Sequence, residues 1–89
     1  MTGPHYRRAP QAVWRATGSF VVAAVPPNEP TTIGGSAPLV WAALAAPQSI
    51  DQLAAELAAA TGASPADVRR DLTDLIAALV PLGLVEVVA

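Results

Sequence analysis

The stretch TTIGGSAPLVWAAL, from Thr31 to Leu44, marks a change from one kind of secondary structure to another. Its short β-branched run, Thr31 to Ile33, predicts a strand, and the two glycines that follow permit a sharp turn. Ser36 is a residue type that favours a helix N-cap. Trp41 and Leu44 then lie three residues apart, which is helical spacing. The stretch therefore predicts a short strand that ends abruptly at the start of a helix.

The Gly34-Gly35-Ser36 junction also admits a functional interpretation, because the N–H groups at the start of a helix can bind a phosphate. A P-loop, however, combines widely spaced glycines with a following lysine. The chain contains no lysine and no GxxxxGK[ST] motif. We therefore favour a structural interpretation, in which the glycines end the strand and Ser36 caps the helix.

Two runs before this stretch are also typical of strands. From Ala12 to Thr17, the residues Val13, Arg15 and Thr17 alternate with Ala12, Trp14 and Ala16. The run from Phe20 to Val25 is short, apolar and β-branched, and Gly18-Ser19 is expected to form a turn between the two runs. Residues 26–30 include three prolines, which remove ladder hydrogen bonds, so we expect a turn there. Together with Thr31 to Ile33, these runs predict a small antiparallel sheet of three strands.

Three helices are predicted after the sheet, and their boundaries have recognisable signals. Ser49-Ile50-Asp51-Gln52 fits a capping box, in which the serine and the glutamine each satisfy an exposed N–H group. Gly62 suits the end of this helix, and Ser64 followed by Pro65 suits the start of the next one. The predicted helices run from Ala37 to about Ala46, from the capping box to about Ala60, and from Pro65 to about Leu79.

The order of these elements predicts an α+β fold, in which a three-stranded antiparallel sheet is followed by three helices. The connection TGAS, residues 61–64, is of helix-turn-helix type, so we expect a winged helix-turn-helix-like arrangement. The final run from Leu84 to Val88 either adds a short strand or simply packs. Residues 1–11 are polar and contain two prolines, and we expect a flexible N-terminal arm before a single domain of residues 12–89.

The composition argues against several functional classes. With a net charge of −2 and a pI near 5.0, the chain lacks the basic surface with which nucleic-acid binders displace counterions from phosphates. No apolar run reaches the ~18 residues of a membrane span, and the N-terminus lacks the apolar core of a signal peptide. We expect a cytoplasmic protein that binds neither nucleic acid nor membrane.

Few side chains are suited to catalysis or metal binding. The chain has no cysteine, and its one histidine, His5, lies in the predicted arm. Asp67, Asp71 and Asp74 are spaced to line one helix face, where a solvated surface is a better interpretation than a site for a hard cation. We therefore predict no enzyme activity, no catalytic or metal-binding residue and no cofactor.

The remaining notable side chains are the two tryptophans and the arginines near the N-terminus. Trp14 and Trp41 are both expected in the hydrophobic core. Arg7, Arg8 and Arg15 are either solvated or in contact with an acidic partner.

The third predicted helix has an apolar sector that extends to one flank. At about 100° per residue, the core face carries Val68, Leu72, Leu75, Ile76 and Leu79. Arg69, Thr73 and Val80 lie on the flank next to Ile76, and an apolar extension on that side suggests the wall of a groove. Arg69 has no acidic residue at helical spacing, whereas Arg70 has acidic residues on both sides and is expected to form a solvated ion pair.

Several segments, in this order and at this spacing, resemble the PqqD-like family. The segments are a strand hairpin followed by IGGSAPLVWAAL, SIDQLAAEL and VRRDLTDLIAALVPLGLV. The similarity covers roughly Ala12 to Val88. One departure is Gly34-Gly35, where many members have a Leu-Asn or similar pair. Members of this family are recognition domains for the leader peptides of ribosomally synthesised and post-translationally modified peptides (RiPPs).

The resemblance implies a binding function without chemistry of its own. In this family the leader of a precursor peptide adds as an extra strand to the edge of the third strand, and its side chains enter a cleft beside the third helix. The domain, acting as a peptide chaperone, presents the leader to a modifying enzyme or a leader peptidase. Free-standing domains of this size are common in lasso-peptide systems. The expected site residues are Thr31, Thr32, Ile33 and Gly34 on the strand, and Arg69, Thr73, Ile76 and Val80 on the helix.

Two alternative functions remain open on the sequence alone. The first is a winged-helix nucleic-acid-binding protein with Arg69 and Arg70 on its recognition helix, although Asp67, Asp71 and Asp74 on that helix would repel phosphates. The second is a structural subunit or chaperone partner of an enzyme, without a peptide groove.

Overall fold

Two small antiparallel sheets and three helices make up the fold of residues 3–88, which are the residues that the computed structural model describes. The strands are β1 (His5–Arg8), β2 (Val13–Ala16), β3 (Val21–Ala24), β4 (Thr31–Ile33), β5 (Gln48–Ser49) and β6 (Val85–Val88). The helices are α1 (Ala37–Ala43), α2 (Ile50–Thr61) and α3 (Pro65–Leu79). The predicted α+β class, with three strands followed by three helices, is confirmed, whereas the winged helix-turn-helix label stays a prediction.

The predicted three-stranded sheet has the strand order β2-β3-β4. In the central strand β3, Val21 lies opposite Ala16 of β2 and Ile33 of β4. Val21, Ala23 and Ile33 share one face of the sheet and are buried there against the helices. Because β3 occupies the middle, β2 and β4 are both edge strands.

A second sheet, with the order β5-β1-β6, joins the two ends of the chain. β1 lies within the predicted flexible arm, yet it pairs with β6 over its whole length, and Arg7 Nε donates to Glu86 Oε1 at 2.6 Å. The backbone N–H of Arg8 donates to the Leu44 carbonyl at 2.9 Å. For residues 5–8 the structure therefore replaces the expected loose arm with a paired strand. The sequence gives no local sign of this strand, because its partner β6 lies at the other end of the chain.

The helix boundaries agree with the prediction at α2 and α3 and differ at α1. Gln52 N donates to Ser49 Oγ at 3.1 Å and Ser49 N donates to Gln52 Oε1 at 2.8 Å, which confirms the capping box. Gly62 ends α2 with a φ of 73°, a left-handed conformation that glycine adopts without steric cost. Helix α1 ends at Ala43, three residues before the predicted end.

Neither of the other two predicted N-cap serines uses its side chain as a cap. Ser36 precedes α1 but has a φ of −84° and a ψ of 6°, which is not the extended backbone of a typical N-cap, and it makes no capping bond. Ser64 has an extended backbone but also makes no side-chain capping bond. The predicted capping role of both serines is therefore wrong, although both helices begin where predicted.

Replacing Ser49 by alanine is expected to lower the free energy of unfolding by about 1 kcal/mol. The Ser49 hydroxyl caps α2, and the residue is only 2 % exposed, so no water replaces the lost bond. Urea denaturation followed by circular dichroism measures the change. Ser64→Ala is the matched control and should cost less than about 0.5 kcal/mol. Equal losses in the two variants would contradict the capping assignment.

The two tryptophans meet at the margin of the core, and only one of them is buried. Trp41 is 2 % exposed, as predicted, but Trp14 is 47 % exposed, which corrects the expectation that both belong to the core. Trp14 lies on an edge strand, where its ring packs edge-on against Trp41 with 6.0 Å between centroids. The Arg8 guanidinium lies 4.8 Å from the Trp14 ring centroid. Trp14 thus covers the margin of the core with part of its ring, while about half of its surface is exposed to solvent.

None of the helices within residues 3–88 combines the length and the hydrophobicity that a membrane-crossing segment requires.

Candidate functional site

The outer side of β4 is an unpaired sheet edge. β4 pairs with β3 along one side only, and no other strand among residues 3–88 pairs with it. The strand is followed by Gly34 and Gly35, both exposed, and Gly35 has a φ of 66° that turns the chain sharply towards α1. This is the abrupt strand end that the sequence predicts, and it leaves a short length of backbone open to a guest strand.

The hydrogen-bond pattern identifies which residue of β4 faces outwards. Thr17 N donates to the Phe20 carbonyl at 2.9 Å, so these two residues form a hydrogen-bonded pair at the turn between β2 and β3. Bonded pairs alternate along an antiparallel ladder, so Val22 bonds to β2, whereas Val21 and Ala23 bond to β4.

The partners of Val21 and Ala23 on β4 are Ile33 and Thr31. Their backbone groups are therefore used inside the sheet. Thr32, between them, directs its N–H and C=O to the free edge, and it is exposed. One residue of the candidate edge thus offers both a donor and an acceptor to an added strand.

Two hollows lie near the two ends of β4, one lined partly by α3 and the other partly by residues that follow α3. The first, the Leu75 hollow, has a volume of about 190 Å³ and is lined by Ser36, Leu57, Thr61, Ala63, Val68, Asp71, Leu72 and Leu75. The second, the Leu82 hollow, has a volume of about 470 Å³ and is lined by Ala23, Ala24, Val25, Asn28, Glu29, Thr31, Pro81, Leu82 and Leu84. We call the free side of β4 and these two hollows the β4 groove.

The β4 groove is mainly apolar, with one acidic side chain at each end. Leu75 is half-buried and Leu82 is 45 % exposed, so both present apolar surface to an incoming side chain. Asp71 lines the Leu75 hollow and Glu29 lines the Leu82 hollow. The groove is therefore suited to apolar guest side chains, and its ends favour uncharged or basic residues over acidic ones.

The helix residues predicted from the sequence do not gather at this groove. Arg69 pairs with Asp51 of α2, and Arg69 and Thr73 line a hollow of about 260 Å³ that also includes Tyr6 of β1. Ile76 is 3 % exposed and belongs to the core, and Val80 is half-buried at the end of α3. The structure therefore separates Arg69 and Thr73 from the strand residues Thr31, Thr32, Ile33 and Gly34.

The opposite flank of α3 supplies the residues that line the groove. Asp71 and Leu75 lie there, one helical turn apart, together with the buried Leu72. The sequence assigned Leu75 to the core and Asp71 to a solvated flank. A helical repeat shows that the two flanks differ, but it contains no sign of which flank lines the Leu75 hollow.

Both positive charges on α3 are paired with acidic side chains. Arg70 pairs with Asp67 at 2.8 Å, as predicted, and Arg69 pairs with Asp51. These pairs are exposed and are worth little for stability, but they reduce the positive charge that a nucleic acid would meet. Within residues 3–88, no three histidine or acidic side chains are grouped closely enough to hold a metal ion.

The comparisons with known proteins identify one family. The model of the PqqD family, described as coenzyme PQQ synthesis protein D, matches residues 19–85. No curated protein and no solved structure matches the chain significantly. The matched span includes β3, β4 and all three helices, so it contains both walls of the β4 groove.

Proposed function

Since the chain belongs to the PqqD family of RiPP recognition elements, we propose that it binds the leader of a precursor peptide as an extra strand along β4. The domain then presents this leader to a modifying enzyme or a leader peptidase. Its own contribution is binding and not catalysis. Following the resemblance to free-standing recognition domains, we propose a lasso-peptide precursor as the first leader to test.

The outward-facing backbone of Thr32 carries this proposal. A guest strand beside β4 would accept a hydrogen bond from the Thr32 N–H and donate one to its carbonyl. Main-chain bonds of this kind supply affinity for many different sequences. They leave specificity to the pockets beside the edge.

The alternation of side chains along a strand supports the use of both hollows. Guest residues opposite Thr31 and Ile33 project to the same side of the sheet as those residues, which is the side that packs on the helices. Two such positions are about 6.6 Å apart. We propose that one guest side chain enters the Leu82 hollow near Thr31 and another enters the Leu75 hollow beyond Ile33.

This geometry changes the proposed helix contribution to the site. The leader contacts the flank with Asp71 and Leu75, and Arg69 and Thr73 face α2 and β1 instead. The proposal therefore keeps the strand residues expected from the sequence. Leader contact with Asp71 and Leu75 predicts different effects of substitutions from leader contact with Arg69 and Thr73, and one binding experiment can distinguish the two.

Ser36→Trp is expected to lower leader affinity about tenfold or more. Ser36 is exposed, makes no side-chain capping bond and lines the Leu75 hollow, so an indole at this position would fill space that a leader side chain needs. Fluorescence anisotropy with a labelled leader, taken from the precursor encoded nearest to this chain, measures the dissociation constant.

Ser36→Ala is the matched control and should bind the leader as the unmodified chain does. Arg69→Glu tests the opposite flank, and we expect less than about a twofold change in affinity. A strong loss in Arg69→Glu together with normal binding by Ser36→Trp would place the leader on the flank that the sequence predicted. Circular dichroism of each variant checks that the domain is folded.

A labelled DNA duplex in the same titration tests the alternative function. We expect no binding at moderate salt, because the two arginines of α3 are paired with acidic residues and the whole chain is acidic. Binding of the duplex without binding of the leader would replace the peptide-binding proposal by nucleic-acid recognition.

A further inference from the structure

The first sheet has a second free edge, on β2. β2 pairs with β3 alone among the strands of residues 3–88. The bonded pair Thr17–Phe20 places Arg15 and Val13 in bonded pairs with β3. Trp14 and Ala16 therefore direct their backbone N–H and C=O groups to the outside. This edge, like β4, can accept an added strand.

The outer face of the sheet next to this edge is apolar and uncovered. It forms a hollow of about 450 Å³, whose apolar lining includes Val13, Phe20, Val22 and Pro30. Val13 is 57 % exposed and Phe20 is 38 % exposed. We call this hollow, together with the free edge of β2, the β2 surface. Exposed apolar side chains grouped beside an unpaired strand are typical of an interaction site.

The β2 surface also carries positive charge without a matching carboxylate. The described ion pairs use Arg7, Arg69 and Arg70, and within residues 3–88 neither Arg8 nor Arg15 belongs to one. Arg15 is the only charged residue among the described side chains that line the hollow, and Arg8 lies over the Trp14 ring. In a chain of net charge −2, this surface is a local exception that attracts negative charge.

The positive charges at the β2 surface also disfavour a second copy of the chain as the polypeptide that binds there. Two β2 edges paired about a two-fold axis would place Arg15 and Arg8 of one copy close to the same residues of the other. Like charges across a strand pair are destabilising. A different polypeptide with acidic side chains meets no such repulsion.

We propose that the β2 surface binds an extended segment of a partner protein in which an acidic residue and apolar residues occupy every second position, so that they all project to one face. The segment pairs with the backbone of Trp14 and Ala16. On the outer face of the sheet, its acidic side chain meets Arg15 and its apolar side chains cover Val13 and Phe20. This site lies across the sheet from the β4 groove, whose ends are acidic, and it does not depend on leader binding there. The two edges thus select guests of opposite charge.

Nuclear magnetic resonance of the full 89-residue chain with two matched peptides tests this proposal. The first probe is acetyl-Thr-Glu-Thr-Val-Thr-Ile-Thr-amide, whose glutamate, valine and isoleucine project to one face, and the second has lysine in place of the glutamate. The acidic probe is expected to shift the amide signals of Trp14 and Ala16 and to leave that of Thr32 unchanged. The lysine probe is expected to bind at least about tenfold more weakly, because its lysine meets Arg15 with like charge.

Two variants identify the contacts. Ala16→Pro removes an outward N–H and Arg15→Glu reverses the charge, and each should weaken the acidic probe about tenfold or more. Ala16→Val keeps the N–H and should bind normally, and circular dichroism verifies the fold of every variant. Equal binding of the two probes, shifts centred on Thr32, or no shifts at all would overturn the proposal. Concentration-dependent self-association through β2 would also overturn it, because the occupant would then be a second copy.

Discussion

Thr32→Pro is expected to lower the affinity for the leader by about ten- to a hundredfold, which corresponds to about 1.4–2.8 kcal/mol. Proline has no N–H, so the guest strand loses a main-chain hydrogen bond worth about 0.5–1.5 kcal/mol. The guest carbonyl is also left without its partner, at a further cost of about 1–3 kcal/mol if water cannot reach it. The proline ring also occupies space along the strand edge where the guest strand must lie.

The native sheet should tolerate this substitution, because the Thr32 N–H is not used inside it. The neighbouring residues, Thr31 and Ile33, are the ones that bond to β3. Proline is found on edge strands for this reason. Circular dichroism and a urea titration are expected to show a folded domain, so that a loss of binding reports on the edge itself.

Thr32→Val and Ala16→Pro are the matched controls for this result. Thr32→Val keeps the backbone N–H and should bind the leader within about twofold of the unmodified chain. Ala16→Pro removes an outward N–H from the other free edge of the same sheet, and it should leave leader affinity unchanged while weakening the acidic probe at β2. A folded Thr32→Pro variant with normal leader affinity would remove β4 strand addition as the binding mode.

Trp41→Ala is expected to lower the free energy of unfolding by about 3–5 kcal/mol. Trp41 is 2 % exposed and packs in the main core cluster, so its removal leaves a large cavity between α1 and the sheet. Domains of this kind are stable by only about 5–15 kcal/mol, so the variant should lie close to unfolding at 37 °C. The loss is measured by urea denaturation at 25 °C.

Trp14→Ala provides the comparison, because the two rings touch but differ in burial. Trp14 is 47 % exposed and its contact with Arg8 is at the surface, so we expect a loss of about 1–2 kcal/mol. Trp41→Phe should cost less than Trp41→Ala. The Trp41 Nε1 is buried without a hydrogen-bond partner among the described residues, so phenylalanine gives up contacts but no bond. Equal losses for Trp14→Ala and Trp41→Ala would contradict the assigned core.

The local elements of this protein were predictable because short-range rules control them. The sheet β2-β3-β4 follows from β-branched runs separated by glycine and proline, and α2 follows from the capping box at Ser49 and the left-handed Gly62. Strand, turn and cap all depend on residues within one or two turns of each other. The abrupt end of β4 at Gly34 and Gly35 was also expected, because two successive glycines permit a sharp turn.

Two features of the candidate sites were decided by the tertiary structure. A helical repeat defines the faces of α3 relative to one another, but the packing of α3 on α2 and β1 determines that Arg69 lies beside Asp51 and Tyr6, whereas Leu75 lies in the hollow with Ser36. Likewise, alternation along β2 shows that Trp14 and Arg15 lie on opposite faces. Only the sheet order makes β2 an edge and leaves Trp14 half in solvent.

The sequence by itself determined the type, order and approximate limits of the main helices and of the first sheet, since the interactions that specify them join neighbours along the chain. The tertiary structure alone decided the pairing of β1 with β6 and the flank of α3 that lines the Leu75 hollow with Ser36. These depend on contacts between residues far apart in the chain. Such contacts form only when several elements pack together, so no single segment encodes them.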